Sequence, residues 1–130
     1  MLLTNAEMKS YLDILNKYPN AENMLGYAIA RNIRALEAAT IEYDEAYNRL
    51  VKKYGSAEIG DNGEKTGRFG LSVSSPEFKK FKAELLPYSI IKHEVKITKA
   101  PYAETIGVLK TSEILELDWM LEDSDIPVEQ

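Results

Sequence analysis

The chain has 130 residues, 45% of them hydrophobic and 28% charged, with a formal net charge of −5, which suits one ordinary domain that can bury a core without staples. It has no cysteine and one histidine, so disulfides, thiolate metal sites, cysteine nucleophiles and any two-imidazole centre within one chain are excluded. No apolar run approaches the roughly 18 residues of a membrane span, and the opening MLLTNAEMKS lacks the basic and apolar regions of a signal peptide, so a soluble intracellular protein is expected.

Thr4-Asn5-Ala6-Glu7 reads as a capping box, with Leu3 and Met8 placed as a hydrophobic staple. Met8, Tyr11, Leu12 and Leu15 follow at helical spacing, and the first helix is expected to end before Pro19. Asn20 suits the cap of a second helix. Its stripe runs Leu25, Ile29, Ile33, Leu36, Thr40, Tyr43, Tyr47, Leu50 and Tyr54, at steps of three or four residues. Gly55 stands where such a helix stops. Unbroken, this helix is about 34 residues and roughly 50 Å long, against a radius of gyration of about 14 Å for a domain of this length. It therefore protrudes, bends, or packs on a second copy.

Asp61-Asn62-Gly63 is a hairpin signal within a glycine-rich run. Phe69, Leu71 and Val73 alternate as in a short strand. Ser75-Pro76-Glu77 opens a short helix carrying Phe78, Phe81, Leu85 and Leu86, which Pro87 is expected to end. Ser89 to Lys99 alternates most clearly. Ile91, His93, Val95 and Ile97 point one way, and Lys92, Glu94, Lys96 and Thr98 the other. Pro101 closes that strand, and Ile106, Val108 and Leu109 suggest a further short one. Thr111 then caps a last helix with Glu113 and Glu116 near its positive end. The fold class is α+β: one long and several short helices packed on a small antiparallel sheet of two or three strands. Residues 1–121 form a single domain, and 122–130 an acidic flexible tail.

Charge is unevenly placed. After Lys110 come seven acids and no base, whereas Lys79 to Lys99 is mildly basic. An acidic end of this kind suits a basic partner, and direct binding of duplex nucleic acid is not expected. The glycine run fails as a phosphate loop, because Glu64 separates its glycine from Lys65. Gly70-Leu71-Ser72-Val73-Ser74 departs from a nucleophile elbow at its last position. His93, on the apolar face of its strand, reads as a half-buried histidine satisfied by a neighbour, since no local nucleophile or carboxylate accompanies it. No catalytic residues, metal ligands or cofactors are assigned.

LTNAE near the start, LGYAIARNIRALEAATIEYDEAYNRLVKKYG, EFKKFKAELL, HEVKI and TSEILELDWML occur in an order that resembles a family of small proteins encoded by phages and prophages of Gram-positive bacteria, of unknown function. The resemblance spans residues 2–121. It implies a phage accessory protein acting in the bacterial cytoplasm and carries over no catalytic residue.

The leading expectation is a non-enzymatic protein that binds a host or phage protein, with inhibition of a host defence system as one specific form. Tyr43, Tyr47 and Tyr54 are the candidate self-association residues of a homo-oligomer. Glu116, Glu122 and Asp123 are the candidate acidic contact with a partner. One alternative is a small-ligand binder, a sponge for a nucleotide signal, with Arg68, Lys92 and Lys96 facing phosphate. Another is an assembly or structural factor of the virion.

Overall fold

Thr4 sets the first boundary. The Thr4 N–H donates to Glu7 Oε1 at 3.0 Å and the Glu7 N–H to Thr4 Oγ1 at 3.1 Å, so two helix-start donors are satisfied reciprocally. Strand β1 (Leu2–Thr4) therefore passes directly into helix α1 (Asn5–Leu15), and the staple residues Leu3 and Met8 are both buried. The computed structural model describes residues 1–59, 63 and 65–123, the side chains of 57–59 and 65–69 excepted.

The second helix begins later than Asn20. Helix α2 spans Asn23–Ala39 with Glu22 as its cap residue, and the chain enters it through Asn23 at φ 60°. That tight entry brings the Ala21 carbonyl oxygen to 2.2 Å from where a Cβ on Gly26 would stand, so only glycine fits there.

The long stripe is not one straight helix. Helix α2 ends at Thr40 and helix α3 (Ile41–Tyr54) starts there, with Thr40 at φ −107° and ψ 10°. The Thr40 hydroxyl donates back to the Leu36 carbonyl at 2.8 Å, the kind of side-chain bond that bends helices. The ladder is otherwise nearly kept, with Thr40 N–H to Leu36 O at 3.1 Å and Asp44 N–H to Thr40 O at 2.9 Å. One residue leaves helical geometry, which is why the periodicity runs through the break.

Gly55 ends α3 in an extended conformation, at φ −86° and ψ 172°. A Cβ there would lie 2.5 Å from the Val51 carbonyl oxygen and 2.7 Å from that of Gly70, so close backbone from the helix end and the strand, and not a left-handed cap, requires the glycine. Strands β2 (Ser56–Ile59) and β3 (Lys65–Gly70) pair antiparallel, whereas Asp61-Asn62 of the expected turn lies outside the described residues. The strand expected through Leu71 and Val73 stops at Gly70, and Val73 is 77% exposed.

Helix α4 (Pro76–Ser89) has proline in its first turn as expected, but Pro87 does not end it. A proline near the C-terminal end withholds only one donor from the ladder, and Ile90 N–H still reaches the Leu86 carbonyl at 3.2 Å. Strand β4 is only Lys92–Glu94, paired antiparallel with β1. Beyond it the Val95 N–H bonds the Met1 carbonyl at 2.9 Å. The alternation survives without the ladder: Val95 is buried and Ile97 packs on the core, while Ile91, assigned to the same face, is 46% exposed.

A parallel pair, β5 (Ala100–Pro101) with β6 (Leu121–Glu122), takes the place of the strand expected over 106–109. Those residues instead follow a 3-10 turn, Tyr102–Thr105, and pass through Gly107 at φ 74°. Helix α5 (Thr111–Leu117) has Lys110 as its cap residue, with Glu113 Oε1 accepting from the Lys110 N–H at 2.8 Å. The protein is α+β: the described residues form five α-helices, two small antiparallel strand pairs and one short parallel pair. The main core gathers Met8, Leu12 and Leu15 of α1, Leu25, Ile29 and Leu36 of α2, and Leu117, Met120 and Leu121 of the last segment. Each large side chain fully buried there is worth about 1.5–3 kcal/mol. Among the described residues no helix is long and apolar enough to cross a membrane.

Candidate binding groove

Helix α3 lies along α4, and its tyrosines meet that helix. Tyr47 stands edge-on to Phe81 with ring centroids 5.4 Å apart, and Tyr43 places its hydroxyl 3.5 Å from Ser89 Oγ. The Tyr54 hydroxyl donates to Glu84 Oε1, beside Lys53 Nζ at 3.0 Å from the same oxygen. The Glu84 carboxyl is held below its ordinary pKa first by Tyr54 and then by Lys53, and both partners are raised in return. All three candidate self-association residues thus bond or pack within their own chain. Tyr47 keeps 42% of its surface exposed.

Between α3 and the α4–β4 turn opens a cavity of about 590 Å³, within the range of ligand sites. Glu42 and Glu45 stand on its α3 wall, Tyr88, Ile91 and His93 on the other, and Asn5 lines it from the start of α1. Asn5 is only 3% exposed. Its Nδ2 donates to the Tyr88 carbonyl at 2.8 Å and its backbone N–H to the Ile91 carbonyl at 3.0 Å. Asn5 Oδ1 meets no protein donor among the described residues, a state that costs roughly 1–3 kcal/mol for a buried acceptor.

His93 pairs across the ladder with Leu3, is half-buried, and lines this cavity. The neighbour expected to satisfy its imidazole is not found among the described residues. A second cavity of about 640 Å³ continues along α3, sharing Arg49 and Tyr88 with the first. Arg49 Nη2 lies 3.5 Å from the Tyr88 hydroxyl at that boundary. Pro87 and Ala83, the residue whose carbonyl Pro87 cannot serve, both line the second cavity. The result is a groove with an acidic half and a half in which Lys53 answers Glu84. Among the described residues Glu42 and Glu45 have no ion-pair partner, whereas Asp44 is paired with Lys9 at 3.0 Å.

The other candidate residues are scattered. Glu116 is engaged by Lys17 Nζ at 2.8 Å and the Tyr18 hydroxyl at 2.7 Å. Lys17 first, then Tyr18, depress its pKa, and the carboxylate in turn helps burial raise the Tyr18 phenol. Glu122 lies exposed in β6, and Asp123 follows it. Lys92 sits on the outer face of β4 opposite Thr4. Lys96 lines a different cavity with Arg31 and Arg34. The Arg68 side chain lies outside the described residues. Asn5, Glu42 and Glu45 carry no sequence signal as a site, because the fold alone brings α1, α3 and β4 together. Among the described residues no three His, Asp or Glu side chains group as metal ligands. No family model, curated protein or solved structure matches the chain.

Proposed function

We propose that this chain is a non-enzymatic accessory protein of a phage or prophage that works in the bacterial cytoplasm by binding a partner protein, with a defence component of the host as the class of target. The observation that carries the binding reading is the groove beside α3. Among the described residues, Glu42 and Glu45 have no ion-pair partner and Asn5 Oδ1 has no protein donor, and all three residues line one cavity. Arg49 lines the same cavity at its boundary with the second one, and the end beside Glu42 and Glu45 favours a donor-rich, cationic guest. An arginine or lysine side chain of the partner fits that description, and Tyr43, Tyr88 and Ile91 offer its stem apolar cover. The net charge of −5 steers a basic partner toward the chain at long range.

The test is co-purification from infected or prophage-bearing cells, followed by native mass spectrometry, with the original chain and with a Glu42→Lys, Glu45→Lys double variant. Both positions are exposed, so the variant keeps its fold, which a thermal melt checks. A stoichiometric protein partner held by the original chain, lost from the double variant and released by moderate salt, supports the reading. Partner binding that is indifferent to the double reversal removes the groove from it.

A further inference from the structure

Away from the groove, α2 and the segment after β4 enclose a smaller cavity of about 330 Å³, lined by Arg31, Arg34, Ala35, Lys96 and Thr98. It shares no residue with the groove. Its charged lining is three cations and no carboxylate, in a chain whose net charge is −5. Among the described residues none of the three takes part in an ion pair. Like charges gathered without a counterion repel, so the arrangement is relieved by a bound anion.

The cavity is also rigidly framed. Arg31 and Arg34 lie three residues apart on α2 and so share a face. Asn32, between them in sequence, turns inward and is fully buried. Its amide accepts from the Thr98 N–H at 2.7 Å and donates to the Thr98 carbonyl at 3.0 Å. Both backbone groups of Thr98 are therefore fixed against α2. Lys96, two residues earlier, lines the same cavity as Thr98. Arg31 is further placed over the Tyr27 ring, 6.0 Å from its centroid. Two guanidinium forks and one ammonium around a concave floor match the oxygens of a phosphate group, because arginine offers paired N–H donors and lysine a compact charge.

We propose that this cavity binds a small phosphorylated ligand through its phosphate or oligophosphate group, held by Arg31, Arg34 and Lys96. A continuous polyanion is disfavoured by what flanks the cations. Glu37 lies three residues beyond Arg34 on the same helix face. This site stands independently of the groove and of its protein partner.

The test uses the full chain at low salt with inorganic phosphate, pyrophosphate, triphosphate and ATP as probes, read by calorimetry and thermal shift. Pyrophosphate and triphosphate are expected to bind and to raise the melting temperature. Arg34→Ala and Lys96→Ala should each weaken that binding about tenfold or more, the loss expected for one charge-assisted contact. Lys92→Ala, outside the cavity, should leave it unchanged. ATP binding at least as tightly as triphosphate supports the proposal, since the phosphate tail then carries the contact. All three substituted positions are exposed, and the melting curves of the free variants report any folding loss separately. The proposal is overturned if no probe binds up to about 10 mM, or if an Arg34→Ala, Lys96→Ala double variant binds as the original does. It is equally overturned if a single-stranded oligonucleotide binds far more tightly than triphosphate at equal phosphate concentration.

Discussion

Asn32 joins α2 to the Thr98 backbone as a neighbouring strand would, giving and receiving one hydrogen bond at 3.0 and 2.7 Å. A carboxamide carries its acceptor oxygen and its donor nitrogen on separate atoms, so one side chain can do both at once. Its Nδ2 also lies 3.6 Å from Met120 Sδ, so the pair ties α2, the post-β4 segment and the last turn into one unit. Asn32→Ala removes both bonds and leaves the Thr98 N–H without its acceptor. The expected loss is about 2–4 kcal/mol, read from denaturant midpoints.

Asn32→Asp refines this prediction. The aspartate still accepts from Thr98 N–H, but its second oxygen faces the Thr98 carbonyl and Met120 sulfur within the core. Burial and that carbonyl raise its folded pKa above the unfolded value. Stability is then fullest below the unfolded pKa and falls as pH rises through the folded one. The variant should stand closer to the original chain at pH 4 than at pH 7. An equal deficit at both pH values would count against the pairing.

Gly26→Ala sets two effects against each other. Alanine is the better helix former by about 1 kcal/mol. Its Cβ would, however, stand 2.2 Å from the Ala21 carbonyl oxygen and 2.7 Å from the carbonyl carbon, both rigid backbone atoms. Overpacking of this kind costs about 1–3 kcal/mol, so the clash wins and the variant melts lower. Gly107→Ala meets open space and pays only for its φ of 74°, about 1–2 kcal/mol.

Thr40→Val tests the bend between α2 and α3. Valine keeps the shape of a fully buried side chain and removes the hydroxyl that bonds the Leu36 carbonyl. The Thr40 N–H still serves that carbonyl at 3.1 Å, so no acceptor is stranded. A loss of about 0.5–1.5 kcal/mol is expected by denaturant titration, far below that of Asn32→Ala. A larger loss would show that the hydroxyl itself holds the bend.

Local signals carried much of this fold in the sequence. The Thr4–Glu7 capping box, the proline start of α4 and the buried stripes of α1 and α2 depend on neighbours within a few residues, and all stand in the structure. Most features that failed depend on distant partners. Thr40 is the local exception: it fits a helical stripe, and its hydroxyl bonds the Leu36 carbonyl where the helix breaks. The alternation expected over Ser89–Lys99 holds at Val95 and Ile97 but not at Ile91, and only Lys92–Glu94 forms a ladder, because Ser89 belongs to α4 and β1 offers so short a partner. Asn32 is a polar residue in the stripe's shadow, and nothing near it in sequence names Thr98. The groove and the cationic cavity are invisible for the same reason: Asn5 and Glu42, or Arg34 and Lys96, meet only after folding.

The Glu84 cluster gives a two-sided pH prediction. The Tyr54 hydroxyl first, and the Lys53 ammonium second, hold the Glu84 carboxyl below its ordinary range. A depressed folded pKa contributes stability that is present above the unfolded value near pH 4.5 and lost as pH falls through the folded one. Glu84 raises Lys53 and Tyr54 in turn, and a raised pKa contributes stability that is present below the unfolded value and lost as pH climbs through the folded one. Tyr54 and Lys53 start from about 10 and 10.5. Glu84→Gln should therefore lower the melting temperature by a few degrees at most across the neutral range, since exposed pairs are weak and screened by salt. The difference from the original chain should shrink toward strong acid and again toward strong alkali. A difference that stays level from pH 3 to pH 11 would mean that α3 and α4 are joined by Tyr47 against Phe81 and not by the carboxylate.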